Sequence, residues 1–316
     1  MTSVLYDAQG PRAKRRNVLY TAVFVVALAA VVWWVYKTLD DKGQLAWGLW
    51  KPFFSSTEAY STYIWPGLQN TLEAAALAMV IALPLGAVLG IARLSDHVWV
   101  RVPAAVVVEF FRAIPVLVLM IFGLALFAQY TDVSSEDRPF YAVVTGLVLY
   151  NASVLAEIVR AGILALPRGQ SEAAMAIGLR KSQVMRVILL PQAVTTMLPA
   201  IVSQLVVIVK DTALGGAVLT FPELLASANT MSGYYGNIIA SLTVVAVIFV
   251  VINFSLTSFA SWLEGRLRRG KKSTGAVLGA QDVADIAGTA ATGAEGGGLD
   301  LSGPFVGGGH GGKHDN

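Results

Sequence analysis

Long apolar runs, separated by short polar segments, dominate the pattern of this 316-residue chain. Several runs reach the roughly 20 residues that a helix needs to cross the hydrocarbon core of a bilayer. The runs are continuous rather than alternating, which indicates helices and not the strands of a barrel. The predicted spans are residues 18–36, 66–92, 103–130, 140–164, 191–214 and 238–262. The sequence therefore predicts an all-α membrane protein with six transmembrane helices.

The parts between and around these spans differ in character. Residues 1–17 form a basic N-terminus, and the first run is long for a signal peptide and lacks a small-residue cleavage site, so we expect it to be retained. Residues 37–65 are polar but rich in aromatic side chains, which settle at membrane interfaces. This external segment either lies along the outer headgroups or is an ordinary loop packed on the protein. The tail, residues 263–316, has few large apolar residues and is expected to be disordered.

Prolines and glycines within the spans predict local geometry. Pro84, Pro115 and Pro199 should bend their helices and free backbone carbonyls. Gly86 and Gly90 are four residues apart, a spacing that is typical of close contact between two membrane helices.

Basic residues predict the orientation of the spans. Sixteen lie near the membrane ends on the side that would be cytoplasmic if the N-terminus were inside, and four lie in the opposite segments: Lys37, Lys42, Lys51 and Arg138. An excess of Lys and Arg marks cytoplasmic segments. The pattern predicts that both termini, and the polar loop of residues 165–190, are cytoplasmic.

Composition narrows the chemistry. Hydrophobic residues make up 55% of the chain and charged residues only 14%, against about a quarter charged in soluble domains. There is no cysteine, so disulfides and thiol chemistry are excluded, and His97 is the only histidine outside the tail. We find no phosphate-binding loop, metal site or catalytic set. The chain is not expected to be an enzyme, to bind nucleic acid or to carry a cofactor.

The polar loop of residues 165–190 lies between two apolar spans. Ser171 can cap a short helix that begins at Glu172 and continues through Ala173 and Ala174, while Gly178 can end it in a left-handed conformation. Such a small-faced helix suits a cleft on a soluble partner. A purely structural turn between two spans is the alternative.

The same loop resembles the signature of a known family. Glu172-Ala173-Ala174, then Gly178, then Ile188, Leu190 and Pro191 are similar to the EAA motif of permease subunits of bacterial ATP-driven (ABC) importers. Further motifs resemble the polar amino acid branch: Asn70-Thr71-Leu72, Glu109-Phe110-Phe111-Arg112, Ala156-Glu157-Ile158-Val159-Arg160, Leu190-Pro191-Gln192-Ala193 and Lys210-Asp211-Thr212-Ala213-Leu214. The resemblance covers about residues 67–262. Ala113 and Ala213 depart from the usual Gly and Ser.

This resemblance implies a five-helix type I permease core, preceded here by an extra helix. It implies that Ser171, Glu172, Ala173, Ala174, Gly178 and Arg180 belong to a coupling helix that docks on the ATPase. It also implies two copies of an ATP-binding subunit that hold ATP and Mg, a second permease, which we expect to be a different chain, and an extracellular amino acid-binding protein, all at the bacterial plasma membrane.

Ionisable and polar residues within spans suggest a substrate pathway, because such residues are costly in lipid. Counted along a helix from Pro103, Arg112 is expected near the middle of the bilayer, where it would attract a substrate carboxylate or form a structural pair with Glu109. Asn151 and Ser153 could offer hydrogen bonds to a substrate. Glu157 either pairs with Arg160 or faces a substrate ammonium group.

Three further charged residues lie towards the opposite ends of their spans. Lys210 and Asp211 are expected near the outer end of the fifth span, and Glu73 near the outer end of the second. They could shape an outer gate, or extend their charges to the interface.

Glutamate is the expected substrate, because an arginine is expected within the membrane. Two rival hypotheses remain: an ion-driven secondary transporter, and a membrane scaffold without transport. The former predicts inverted repeats with paired broken helices, which the sequence does not show.

Overall fold

A computed structural model describes residues 10–269, and this part consists of helices joined by turns and short loops, without a β-strand. The helices are α1 (Pro11–Asp41), α2 (Trp47–Trp50), α3 (Pro52–Ser55), α4 (Trp65–Ala92), α5 (Val98–Ala113), α6 (Val116–Tyr130), α7 (Arg138–Leu164), α8 (Arg168–Ala176), α9 (Lys181–Gln183), α10 (Leu190–Val218), α11 (Leu224–Tyr235) and α12 (Ile238–Arg269). Single π-helical turns, Ala59–Ile64 and Val184–Leu189, lead into α4 and α10. The chain divides into two units at Glu264. Residues 263–269, the start of the tail that was predicted to be disordered, continue α12 as helix, and that part of the prediction is wrong. The rest of the predicted tail, residues 270–316, lies outside the described residues.

The predicted all-α membrane class is confirmed. Five helices of the described chain are long and apolar enough to cross a bilayer, or six if α5 and α6 count as one broken span. The first helix runs over 31 residues and is longer than the predicted 18–36 at both ends, and none of its residues is buried.

The third predicted span is not one helix, and that expectation is wrong. The axes of α5 and α6 meet at 99°. Pro115 precedes the first residue of α6, and Ile114 is extended, with φ −89° and ψ 129°. A proline disfavours helical geometry in the residue before it, so the helix ends there instead of bending. Pro84 and Pro199, by contrast, lie inside continuous helices.

Helix α7 is the centre of the fold, because 67% of its most apolar 18-residue stretch is buried. Helix α4 lies parallel to it with very close backbones. A Cβ atom on Gly86 would lie 2.8 Å from the Ala152 carbonyl oxygen, and one on Gly90 would lie 2.5 Å from that of Ala156. The close helix contact predicted from this glycine pair is confirmed.

Helices α6 and α10 pack antiparallel to α7. Gly146 of α7 lies against the backbone of Met120, and Gly123 of α6 lies opposite Ala142. The two ends of α10 meet opposite ends of α7, because Met197 lies beside Gly162 and Gly215 beside Val143. The bundle therefore has one end that carries α8, called here the α8 end, and an opposite end that carries α11, called the α11 end.

The segment between α1 and α4 packs on the protein. Phe53, Ala59 and Ile64 are buried in a cluster with residues of α11 and α12, and the Asn237 side-chain amide donates to the Leu49 carbonyl at 2.7 Å. The packed-loop alternative thus describes this segment. Its exposed surface carries a stacked pair of rings, Trp47 and Phe54, 5.4 Å apart.

Candidate functional site

Helix α8 is a short helix that ends at a glycine, as predicted. Gly178 has φ +89°, its N–H donates to the Met175 carbonyl at 3.0 Å, and the Leu179 N–H donates to the Ala174 carbonyl at 3.2 Å. This is the Schellman arrangement, in which a left-handed residue closes the last turn.

The start of α8 differs from the prediction. The helix begins at Arg168, so Ser171 lies inside it and its hydroxyl donates to the Arg168 carbonyl at 2.8 Å. The expectation that Ser171 caps the helix is therefore wrong. Pro167, whose fixed φ suits an entry into a helix, precedes the first helical residue instead.

One side of α8 is open and partly apolar. Ala174 is buried, whereas Glu172 and Ala173 are exposed, and Ile177 is 80% exposed. Arg180 is also exposed. Met175, which is 50% exposed, adds a second large apolar side chain two residues from Ile177. Contiguous apolar patches of this kind mark protein-binding surfaces, whereas single exposed apolar residues do not.

The segment after α8 has one ionic attachment to the rest of the described chain. The Lys181 ammonium group donates to the Asp96 carboxylate, in the turn between α4 and α5. That hydrogen bond holds the pKa of Asp96 below its usual range. A cavity of about 600 Å³, lined by apolar residues such as Leu166, Val184 and Leu189, lies beside α8.

An ion-pair network joins three helices at the α8 end. Arg93, directly after α4, places Nη2 2.9 Å from Glu109 Oε1 of α5 and Nη1 3.0 Å from Glu157 Oε2 of α7. Its side chain is only 13% exposed. A buried charge needs an opposite charge beside it, and Arg93 contacts both carboxylates of the network. Arg93 is therefore the centre of the network.

Two further arginines complete this network. Arg160 donates hydrogen bonds to both carboxylate oxygens of Glu157, at 2.6 to 3.1 Å. Arg112 lies 3.8 Å from Glu109 and 3.9 Å from Glu157. The predicted pairs Glu109–Arg112 and Glu157–Arg160 are confirmed. Three arginines share two carboxylates, so the network carries one surplus positive charge.

The depth predicted for Arg112 was counted along a single span of residues 103–130, but this span breaks at Ile114, directly after α5. A position near the middle of the bilayer stays a prediction. Arg112 lies in the last turn of α5 and meets the network beside the end of α4. Sequence reasoning missed Arg93, since a basic residue after a span is expected from topology alone. Its spacing from other charges along the chain carries no signal of the pairing.

Asn151 and Ser153 are enclosed by protein. The Asn151 amide donates to the Leu147 carbonyl at 2.7 Å, and its oxygen accepts from the Gln204 amide of α10. The Ser153 hydroxyl donates to the Leu149 carbonyl at 3.0 Å. A substrate contact with Asn151, which stays a prediction, would therefore require α7 and α10 to separate.

Lys210 and Asp211 lie further from the end of their helix than predicted. Helix α10 continues to Val218, so both residues are two turns inside it. Lys210 lines a cavity of about 460 Å³ between α10 and α12, and Asp211 is partly buried. Glu73 is exposed on α4. None of the three forms an ion pair with another described residue, and an outer gate stays a prediction.

A buried carboxylate that sequence reasoning missed lies at the α11 end. Glu223 is fully buried and caps α11 by accepting the N–H groups of Leu225 and Ala226, both at 2.7 Å. Burial raises the pKa of Glu223. The Thr71 hydroxyl accepts the Leu224 N–H at 3.1 Å, which joins this cap to α4.

Comparison with known proteins identifies the class of this chain. The model of a family described as "Binding-protein-dependent transport system inner membrane component" matches residues 82–269. The glutamate transport system permease protein GluD of Corynebacterium glutamicum is 48% identical over 233 residues, which cover 74% of this chain and 85% of that protein. The arginine transport system permease protein ArtQ of Bacillus subtilis is 32% identical over 221 residues, which cover 68% and 97%.

A solved structure agrees with these relatives. The crystal structure of an amino acid ABC transporter with histidines matches with a TM-score of 0.60 at 27% identity, covering 66% of this chain and 95% of the solved chain. As a membrane component, the chain is not an enzyme, and ATP hydrolysis belongs to a separate subunit. The chain belongs to the binding-protein-dependent transport family and is a multi-pass permease subunit of a bacterial amino acid ABC importer.

Proposed function

We propose that this permease carries glutamate into the cell and that α8 couples its helices to a separate ATPase. The observation that supports coupling is the exposed side of α8, which carries Glu172 and Ala173, together with Ile177, the residue directly after α8, which is 80% exposed. An ATPase cleft would cover this apolar surface. Closure of the ATPases around ATP would then move α8 as one rigid helix.

The substrate assignment rests on charge and on similarity. The network around Arg93 has a surplus positive charge, and the side chain of Arg112 is 38% exposed. Among the described residues, Arg112 has ion-pair contacts only at 3.8 and 3.9 Å. Its guanidinium can therefore donate hydrogen bonds to a further carboxylate, which glutamate supplies. The relative at 48% identity is a glutamate transport permease.

The proposed assembly has two permeases, this chain and a different one, with two ATP-binding subunits that hold ATP and Mg, and an extracellular amino acid-binding protein. The proposed orientation places α8 in the cytoplasm. The chain has no cysteine, so single substitutions Ser171→Cys and Ser134→Cys can be labelled selectively. In intact cells, a membrane-impermeant thiol reagent should label only Ser134→Cys, and labelling of only Ser171→Cys would reverse the topology.

Coupling is tested by Gly178→Ala, with Gly169→Ala as the matched control. Both glycines have open space around them, but only Gly178 has a positive φ. A left-handed conformation costs a residue with a Cβ about 1–2 kcal/mol, whereas alanine within a helix is favourable. In the assembled transporter, Gly178→Ala should lower both glutamate uptake and substrate-stimulated ATP hydrolysis.

The control Gly169→Ala should keep full uptake. A more disruptive variant, Glu172→Lys, places a positive charge on the exposed face and should block assembly with the ATPase, measured by co-purification. Undiminished uptake by both Gly178→Ala and Glu172→Lys would refute coupling through α8.

The substrate is tested by competition and by Arg112→Ala. Unlabelled glutamate should compete with labelled glutamate for uptake better than glutamine, arginine or histidine. Loss of one charged hydrogen bond should reduce uptake roughly tenfold or more. Arg101→Ala is the control, because Arg101 is exposed on the same helix without an ion pair among the described residues. Equal uptake by Arg112→Ala and Arg101→Ala would remove Arg112 from the pathway.

A further inference from the structure

The turn between α4 and α5, residues 93–97, is a rigid continuation of α4. The N–H groups of Arg93, Leu94 and Ser95 each donate to a carbonyl in the last turn of α4, at 3.0 to 3.1 Å. The Ser95 hydroxyl then accepts the His97 N–H at 3.2 Å. This α4–α5 turn, held by consecutive hydrogen bonds, should move together with the end of α4.

One end of the α4–α5 turn is attached to the loop of residues 165–190, which contains α8 and is called here the coupling segment. Asp96 accepts the hydrogen bond from Lys181, the first residue of α9. Lys181 follows the Gly178 stop of α8 by three residues. Among described residues, this is the one ion pair between residues 165–190 and the rest of the chain. A displacement of α8 therefore acts on Asp96 through a charged contact.

The other end of the α4–α5 turn is attached to the proposed substrate pathway. Arg93, three residues before Asp96, contacts Glu109 of α5 at 2.9 Å and Glu157 of α7 at 3.0 Å. Apolar packing reinforces the connection, because Leu94 packs in the cluster that contains Val159 and Ala193. The α4–α5 turn thus lies between the coupling segment and the three-helix network.

We propose that the α4–α5 turn transmits motion from α8 to the ion-pair network, with Asp96 as the positioning residue that receives it from Lys181 and Arg93 as the residue that passes it to α5 and α7. This inference rests on the proposed coupling role of α8. It assigns a function to Asp96 and Arg93, two residues that lie outside the EAA motif and outside the other family motifs named above.

The exposure of the pair makes this inference testable without unfolding the protein. The side chains of Lys181 and Asp96 are 53% and 72% exposed, and exposed ion pairs add little to stability. Removing the pair should leave folding and assembly intact. Its effect should appear in the ratio of substrate transported to ATP hydrolysed.

The experiment uses the complete transporter in proteoliposomes, with its ATPase and binding protein, and measures glutamate uptake and ATP hydrolysis together. Asp96→Lys and Lys181→Asp each place like charges opposite one another. Each should lower the uptake per ATP about two- to fivefold, the range that an exposed pair can supply. The double variant Asp96→Lys/Lys181→Asp restores opposite charges and should recover most of the loss.

Ser182→Asp is the control, since it places a negative charge one residue from Lys181 and leaves the Lys181–Asp96 pair in place. It should keep the wild-type ratio. Unchanged ratios in both single variants, or a double variant no better than either single one, would overturn the inference. Gly178→Ala, measured in parallel, separates the two proposals: if it impairs uptake while the charge variants do not, coupling through α8 stands and the role of the turn fails.

Discussion

The contact between α4 and α7 provides the sharpest stability prediction. Gly86 and Gly90 let the two helix backbones touch, and a methyl group on either residue meets backbone atoms that cannot move aside. A Cβ on Gly90 would lie 2.5 Å from the Ala156 oxygen and 2.9 Å from Val159 Cβ. We therefore predict that Gly90→Ala destabilises the permease, although alanine is the better helix former.

The magnitude follows from these distances. Ordinary van der Waals contact begins at about 3.5 Å, so Gly90→Ala must separate the helices by about 1 Å along part of their length. Overpacking of this kind costs about 1–3 kcal/mol. For a protein of this size, each kcal/mol corresponds to roughly 2–4 °C in apparent Tm. A decrease of several degrees is expected, and a similar one for Gly86→Ala.

The assay is thermal unfolding of the purified permease in detergent, followed by the fraction that stays monodisperse after heating. Gly123→Ala is the control, because Gly123 also lies in a membrane helix but its Cβ would be 3.4 Å from the Ala142 oxygen, an ordinary contact. If Gly90→Ala were as stable as Gly123→Ala, the close approach of α4 and α7 described above would be refuted.

Two further predictions concern buried polar groups. Gln204→Leu should lower the free energy of unfolding by about 1–3 kcal/mol, because it leaves the buried Asn151 oxygen without its donor. The double variant Asn151→Leu/Gln204→Leu should have an apparent Tm closer to that of the wild type. An equal loss of apparent Tm in the single and the double variant would contradict the pairing. Burial raises the folded-state pKa of Glu223, so the native state binds this proton more tightly than the unfolded state, and the stability that Glu223 contributes should fall as pH rises through the folded pKa. The apparent Tm of Glu223→Gln should therefore rise relative to that of the wild type as the pH increases from 5 to 8. A difference in apparent Tm that does not depend on pH would argue against a raised pKa of Glu223.

Most of the helical layout was predictable, because lipid imposes a simple rule on the chain. A span must be long and apolar, so the bounds of α4 and α7 and the start of α12 followed from composition alone. The break before Pro115 was not predicted, since the runs on either side are equally apolar and a proline in a span can either bend or end a helix. Only the packing of α5 and α6 against α7 distinguishes the two outcomes.

The candidate site was predictable where partners are close in sequence. Glu109–Arg112 and Glu157–Arg160 lie three residues apart on a helix face, and both pairs formed. Arg93 and Asp96 were missed, because their partners are 16 to 85 residues away. Ser171 was misplaced because the sequence also offers Pro167, five residues before Glu172, the expected helix start. Capping preferences rank possible starts but do not choose between two that are about one turn apart.

The break between α5 and α6 has a consequence for the permeation barrier. Helix α6 contains 15 residues, which span only about 22 Å at 1.5 Å per residue. This is shorter than the roughly 30 Å hydrocarbon core that an uninterrupted helix would cross. Helix α6 alone therefore does not cross the core, and the remaining depth at this position must be covered by other segments, of which α5 is the neighbour in the chain.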